Sequence, residues 1–495
     1  MDVPEPLIIG VVVLVVGSVA ASFVDRLGAP TLLVFLGLGM LLGEDGPGGV
    51  HFDDALLARD AGLVALAVIL FEGGVLADLP EVRLVRAPAV ALASVGVVVT
   101  GLVVGVVTRV AVGFGWATSL LLGAAVSSTD AAAVFSAIRG ANLRRRLASI
   151  LEAESGLNDP FAAVLVIGLV DWQTHSHFGV SDAAILLARE SLIGAAGGVA
   201  VGLIAAALLR RLPLPSAGLA PVVAIGVALA GYVGVSLAGG SGLLTVYLAG
   251  LIVGEARIPH AGVVRGFLQG TDWLAQLGLF VLLGLLVTPS QLVDEGLSPL
   301  VVAVALVVLA RPLAVALCTT PFGLGLREQG FLAWAGLRGG VPIVLATFPI
   351  AAGVSGSSRI FNVVFYVVVV SVVVQGITVR WMARRLGVLE THRVLDMADL
   401  DAATLQTLGA DLIELQPADL AIEPGTAVRD LRLPGAAVIV AVRRGDQLVL
   451  PRGGTLVEDG DRMYLLVERT RLQDVHTAIR RVDQTAASAK ERMSG

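Results

Sequence analysis

Cysteine and lysine are almost missing from this chain of 495 residues, where Cys318 and Lys490 are the only examples. A lone cysteine inside an apolar run can form no intrachain disulfide, and its ordinary reading is a small buried residue. Charge is scarce as well, at 15% of residues with a net charge of −6, and aromatics reach only 5%. The net charge by itself says little about partners, and no nucleic-acid partner is expected. The first apolar run has acidic residues before it and no small-residue cleavage site, so it reads as a retained helix rather than a signal peptide.

In place of these the chain has Val, Leu, Ala and Gly. It is 56% hydrophobic, with a mean hydropathy of +0.88, well above a soluble globular domain. This is the composition of a polytopic membrane protein. Apolar runs recur from Leu7 to about Met382, most of them near the roughly 20 residues that cross a bilayer. Hydropathy gives about thirteen spans, centred near residues 15, 37, 68, 99, 127, 160, 197, 225, 248, 278, 307, 340 and 371. With the N-terminus outside, one set of loops holds Arg26, Arg83 with Arg86, Arg139 with Arg144, Arg145 and Arg146, Arg210 with Arg211, Arg257 with Arg265, Arg327, and Arg380 with Arg384 and Arg385. The opposite loops, including GEDGPGGVHFDD, the stretch around His175 and His177, and TPSQLVDEG, hold almost no arginine beyond Arg59 and Arg359. Because basic residues gather on the cytoplasmic side, this asymmetry places the C-terminus inside; the expected location is the plasma membrane.

After about Thr391 the pattern changes to short alternating segments: DLIELQ, AAVIVAVRRGDQLVL and RMYLLVE as strands, RGDQ as a hairpin turn, and RLQDVHTAIRR as an amphipathic helix. The expected organisation is a membrane domain over residues 1–390, a small cytosolic α/β domain over 403–482, and a frayed tail over 483–495. A module this small favours dimerisation.

Ionisable residues inside apolar spans are costly, and they either mark an ion path or pair to lock helices together. They are Glu72 in LFEGG, Asp130 in SSTDAAAV, Glu154 and Asp159 in LEAESGLNDPF, Asp272, Arg311 in LARPLAV and Arg338 in GLRGGVP. For Glu154, Arg311 and Arg338, pairing is the nearer reading. For Asp159 it is not. Residues four apart share a helix face, so Ser155 stacks with Asp159 while Glu154 stacks with Asn158 on the adjacent face. Glu154 can then meet a cation from another helix, leaving Asp159 and the Ser155 hydroxyl to offer oxygens, the ligands that hard alkali cations want. Pro160 is expected to free the carbonyl of Gly156 and open the backbone there.

Two further stretches read as interrupted helices. The polar run Ser127, Ser128, Thr129 and Asp130 competes with the helix for backbone hydrogen bonds. Seven spans later, Arg338, Gly339, Gly340 and Pro342 do the same, with Pro342 expected to free the Arg338 carbonyl. Interruptions in corresponding places of two halves point to an inverted-repeat transporter with its site at the midplane. An offset of seven reverses the crossing direction, so spans 1 to 6 and 8 to 13 are inverted copies. Asp130 and Arg338 are placed to neutralise the exposed helix ends.

The STD, ESGLNDP, ARPL and GLRGG elements, in this order, resemble the monovalent cation:proton antiporters of the sodium/proton-exchanger type, in the branch with an Asn-Asp pair. The likeness covers roughly residues 7 to 385. It implies an all-α polytopic membrane fold with two broken, crossing helices, and secondary transport rather than an enzyme. By resemblance, Asp159 binds either cation or proton, and Thr129, Asp130 and Ser155 contribute to the cation site. Asn158 holds the unwound helix, Glu154 pairs with Arg311, Arg338 stands at the second break, and Glu72 lines the cytoplasmic approach. Asn158 cannot titrate and a guanidinium stays charged, so one K+ or Na+ is expected to exchange for one H+ with no net charge moved. Spans 4 to 6 and 11 to 13 are expected to move as a core against a scaffold of spans 1 to 3 and 8 to 10.

PGTAVRDLRLP followed by RGDQLVLPRGGTLVEDGDRMYLL resembles the TrkA C-terminal domain of potassium-conductance regulators. Such modules dimerise, and some bind small nucleotide-type regulators, including cyclic dinucleotides; a dimerisation module without a ligand is the parallel reading. No Gly-rich dinucleotide fingerprint accompanies it, and no cofactor is expected. His392 and His476 read as pH sensors or as ordinary surface residues. The module tilts the cation toward K+. Two rival classes are a ligand-gated cation channel, which would need a repeated filter such as TVGYG, and an intramembrane aspartyl protease using Asp130 and Asp159, whose local sequences fit poorly.

Overall fold

The structure, a computed structural model, describes residues 5–27, 31–138, 143–174, 179–389, 410–420, 422–431, 433, 437–445 and 447–468. His175, His177, Arg139, His392 and His476 lie outside them. So do the amphipathic segment near 471–481 and the tail from 483. Two compact units are formed, Met1–Thr391 and His392–Gly495.

The named elements of the first unit are all helices. Its elements begin with α1 (Glu5–Leu27), α2 (Leu32–Leu42) and α3 (Ala55–Leu76), the last capped by Asp54, whose side chain accepts from Leu57 N at 2.9 Å. Then α4 (Leu79–Ala91) continues through a π-helical turn, Leu92–Gly96, into α5 (Val97–Val107). Next come α6 (Trp116–Ala125), α7 (Ala131–Ala137), α8 (Arg145–Thr174) and α9 (Val180–Arg211). The second half holds α10 (Leu219–Leu237), α11 (Gly242–Glu255), α12 (Ala261–Leu285) and the short α13 (Pro289–Asp294). In it α14 (Ser298–Val304) also passes through a π-helical turn, Ala305–Ala310, into α15 (Arg311–Thr319). The last elements are α16 (Leu326–Trp334), α17 (Gly340–Ala351) and α18 (Ser357–Leu386). Among the described residues, 7 helical runs are long and apolar enough to cross a membrane, and shorter apolar helices lie between them. Among the described residues, the π-helical turns Leu92–Gly96 and Ala305–Ala310 fall in corresponding helices of the two halves, as do the breaks α6/α7 and α16/α17, and a third π-helical turn, Thr108–Val112, follows α5.

Packing divides the helices into two groups. In one, α11 lies against α3 and α9, and α12 against α2 and α3. In the other, α5 packs on α6, α4 and α6 on α8, α15 on α16, and α17 and α14 on α18. Contacts of α17 with α3, and of α11 with α8, join the groups. Small residues let these helices approach, as where α3 meets α11: a Cβ on Gly74 would overlap the Tyr247 carbonyl oxygen.

Arginine-bearing ends come together. Arg144 N donates to Val388 O at 3.1 Å, Arg145 pairs with Glu81 at 3.0 Å and Arg144 with Glu328 at 3.6 Å, so the starts of α4, α8 and α16 and the end of α18 meet. At the other end Arg359 pairs with Glu295 at 2.8 Å, and Ser290 N donates to Asp45 at 2.7 Å.

Two expectations about proline are corrected. Helix α8 runs unbroken through the buried Pro160, so the backbone is not opened there; the missing N–H still leaves the Gly156 carbonyl without its helical donor, one lost bond that the intact turns on either side absorb. Pro342 lies in the first turn of α17, after Gly339 as N-cap. There a missing N–H costs nothing, because first-turn N–H groups have no helical partner. The break is made upstream, at residues 335–339.

The second unit holds β1 (Ala410–Leu415), β2 (Ala437–Arg444), β3 (Gln447–Val449) and β4 (Arg462–Glu468), an antiparallel sheet in the order β1-β4-β2-β3. The hairpin closes where Arg444 pairs with Gln447, with Gly445 at a φ of 58°. Its core gathers Leu415, Ile439, Val442, Val457, Met463, Leu465 and Val467. Arg444 donates to Asp461 at 2.9 Å, and the Glu458 amide donates to the same carboxylate at 2.9 Å.

Candidate functional site

The two helix breaks meet at α8. Ser128, Thr129 and Asp130 belong to neither α6 nor α7, and the polar groups of this stretch are satisfied from outside. Arg338 Nη1 donates to the carbonyls of Ser127 at 3.0 Å and Ser128 at 2.6 Å, setting a buried cation at the negative end of α6. Asp130 accepts from Ala133 N at 3.2 Å in the first turn of α7, and its own N–H donates to Leu337 O at 2.8 Å, tying one break to the other. Gly339 stands so close that a Cβ there would overlap Asp130 Oδ2. Both breaks therefore hold a charge of the sign the helix end calls for.

On α8 two faces do separate work. Glu154 takes Arg311 in a bidentate pair, Nη1 to Oε1 at 2.5 Å and Nη2 to Oε2 at 2.9 Å, and both side chains are buried. One turn on, Asn158 donates from Nδ2 to Thr129 Oγ1 at 2.5 Å and to Thr129 O at 3.4 Å. The other face turns toward a cavity of about 270 Å³ and carries Glu152, Ser155, Gly156 and Asp159. Asp159 is 5% exposed and accepts a short hydrogen bond from the Ser128 hydroxyl. Ser155 donates to Thr129 O at 3.1 Å and accepts from Ala131 N at 3.2 Å. A hydroxyl has two lone pairs, so one remains for the cavity.

The cavity is also lined by Asp130, by Glu72 on α3, by Tyr247 on α11 and by Asp272 and Gln276 on α12. No basic side chain lines it among the described residues. Such a site can hold a cation or protons against carboxylate oxygens between apolar walls. It reaches from Asp159 to Gly73, Leu76 and Ala77 at the end of α3, the end where α4 begins and the arginine-bearing ends gather.

The structure thus brings Asp159, Asp130, Ser155, Asn158, Glu154, Arg311 and Arg338 together, with Glu72 on the same cavity. Thr129 differs from expectation. Its hydroxyl turns to Asn158 and lies 3.5 Å from Glu154, so the side chain braces the break and does not line the cavity. Sequence reasoning passed over Ser128 as the partner of Asp159, and also Glu152 and Tyr247. Glu152 could have been found by spacing, since it lies two turns before Asp159 on one helix face.

Comparison with known proteins follows the same lines. The family described as sodium/hydrogen exchanger, transmembrane, matches residues 11–385, and the TrkA-C domain matches residues 424–480. The K(+)/H(+) antiporter NhaP of Alkalimonas amylolytica is 38% identical over 487 residues, 96% of this chain and 83% of that protein. The K(+)/H(+) antiporter NhaP2 of Shewanella oneidensis is 36% identical over 97% of this chain and 84% of its own length. The Na(+)/H(+) antiporter ApNhaP of Aphanothece halophytica is 29% identical over 75% of the chain and 72% of its own length. In fold, the chain is similar to the sodium proton antiporter MjNhaP1 from Methanocaldococcus jannaschii, with a TM-score of 0.66 and 24% identity over 76% of this chain and 97% of that one. A polytopic helical domain with paired helix breaks, followed by a small sheet domain, is the architecture these matches meet in this chain, and the chain belongs to the sodium/hydrogen exchanger family.

Proposed function

We propose that this cation/proton antiporter exchanges one monovalent cation, K+ before Na+, for one H+ across the plasma membrane, with no net charge moved. The observation that carries the reading is the division of labour on α8. Asp159 alone of the Asn-Asp pair bears a charge, and it faces the cavity. Asn158 is spent on Thr129, and Arg311 is spent on Glu154. Proton and cation then exclude each other at Asp159, with Asp130 and Ser155 as neighbouring oxygens and Glu72 on the approach. The names of the relatives matched over nearly the whole chain support K+.

The arginine asymmetry supports an N-terminus outside, about thirteen crossings and a cavity open to the cytoplasm. The two packing groups support a core of α4–α8 and α14–α18 that moves against a scaffold to which α9 belongs. Residues 403–482 would act as a TrkA-C domain, dimerising the protein and offering a place for a small nucleotide-type regulator. Exchange driven by a pH gradient in proteoliposomes, with K+, Na+, Li+ and Rb+ compared, tests the whole. Transport should be electrically silent and lost in Asp159→Asn with the protein still folded. A membrane potential that drives flux, or robust exchange by Asp159→Asn, would refute the reading.

A further inference from the structure

The cavity wall opposite Asp159 is made by the other packing group, and it carries oxygens without a partner among the described residues. Tyr247 on α11 is 3% exposed, and its hydroxyl makes no hydrogen bond to them. Asp272 on α12 accepts from Gln276 at 2.8 Å through Oδ2, while its buried Oδ1 has no such contact. An unpartnered buried polar group is destabilising, so both sites call for a ligand. The tyrosine ring is pressed onto α8: a Cβ on Gly156 would overlap Tyr247 Cε2 and Cζ. Only glycine leaves room for it. The hydroxyl borne by that Cζ sits at the level of Gly156, between Glu152 one turn toward the arginine-rich end and Asp159 one turn inward. The bland alternative is a tyrosine that merely packs, yet phenylalanine would pack there without leaving a hydroxyl unpaired.

We infer that the scaffold completes the cation site: the Tyr247 hydroxyl and the free Asp272 oxygen serve the alkali cation, directly or through its water, while it is held at Asp159 from α8. This rests on the antiport reading and adds ligands from a second moving part to those on the core. Phenol and carboxylate oxygens suit a hard monovalent cation. Because α11 and α12 belong to one packing group and α8 to the other, any shift between the groups separates these oxygens from Asp159. The cation is therefore held more tightly when the site faces the arginine-rich side than when it faces the opposite side, a difference in affinity between states that contacts alone can supply.

The test compares apparent KM for K+ on the two faces, in everted and in right-side-out vesicles, for the wild type, Tyr247→Phe and Asp272→Asn. Tyr247→Phe should raise KM on the face reached by the cavity about 5- to 10-fold, the effect of one hydrogen-bond-sized contact, and leave the other face unchanged. Wild-type exchange and its loss in Asp159→Asn, measured in the same vesicles, report separately on the antiport reading. An unchanged KM on both faces, or an equal rise on both, overturns the inference. If Tyr247→Phe does not reach the membrane, Asp272→Asn decides by the same one-sided criterion.

Discussion

Replacing Glu154 by alanine isolates the cost of a charge stranded in the bundle. The Glu154 and Arg311 side chains are 1% and 3% exposed, and two hydrogen bonds of 2.5 and 2.9 Å join them. Without the carboxylate, the guanidinium keeps, among the described residues, only the Leu332 carbonyl at 3.4 Å. An uncompensated buried charge of this kind costs about 3–5 kcal/mol. The exposed Arg145, paired with Glu81, should by contrast cost no more than about 1 kcal/mol when changed to alanine. Thermal unfolding of the purified protein in detergent reads both. The double replacement Glu154→Leu with Arg311→Met removes both charges and fills the space with apolar atoms. It should unfold above Glu154→Ala, because the two sites are coupled by about 2 kcal/mol or more. A Glu154→Ala protein that unfolds with the wild type, or single losses that simply add in the double variant, would refute the reasoning.

Gly339→Ala should cut exchange at least tenfold and lower stability, since its methyl group would overlap Asp130; normal K+ flux in vesicles would count against the tight crossing of the two breaks. In the second unit, the hydrogen bond from Arg444, helped by the Glu458 amide, holds the Asp461 carboxyl below its ordinary range. A group depressed in the folded state stabilises above its unfolded pKa of about 3.9 and loses that contribution as the pH falls through the folded value. Protection of the β4 amides from hydrogen exchange should therefore weaken below about pH 4. Asp461→Asn should weaken it at neutral pH and flatten the acid limb, and an unaltered pH profile would dismiss the pairing.

What could be read from the sequence was whatever stood out against an apolar background. Glu154, Asp159, Arg311 and Arg338 are conspicuous because each is costly in a span, and helical periodicity by itself sorts Glu154 with Asn158 and Ser155 with Asp159. The interruptions were legible for the same reason: Ser127 to Asp130, and Gly339 with Gly340, are poor helix formers in otherwise uniform helices. Proline was a poorer guide, because its effect depends on position. Pro160 is deep in α8 and the helix continues, while Pro342 falls in a first turn where it fits. The partners of the break were hidden because a residue that leaves helical geometry no longer obeys helical spacing. Ser128 reaches Asp159 and Thr129 turns to Asn158 only because residues 126–130 are not helical. Tyr247 gave no signal, being one aromatic in an apolar helix, and its importance comes from the glycine opposite.

The unbroken course of α8 has a consequence for what this stretch of chain can accept. Each added residue turns the rest of a helix by about 100° and lifts it about 1.5 Å. A single insertion or deletion between Glu154 and Asp159 would therefore rotate Asp159 relative to Glu154, so that the two faces could no longer meet the cavity and Arg311 together. Residues here can be replaced one for one, whereas their number is fixed. Changes of length can be tolerated only beyond the ends of the rod, where loops absorb them.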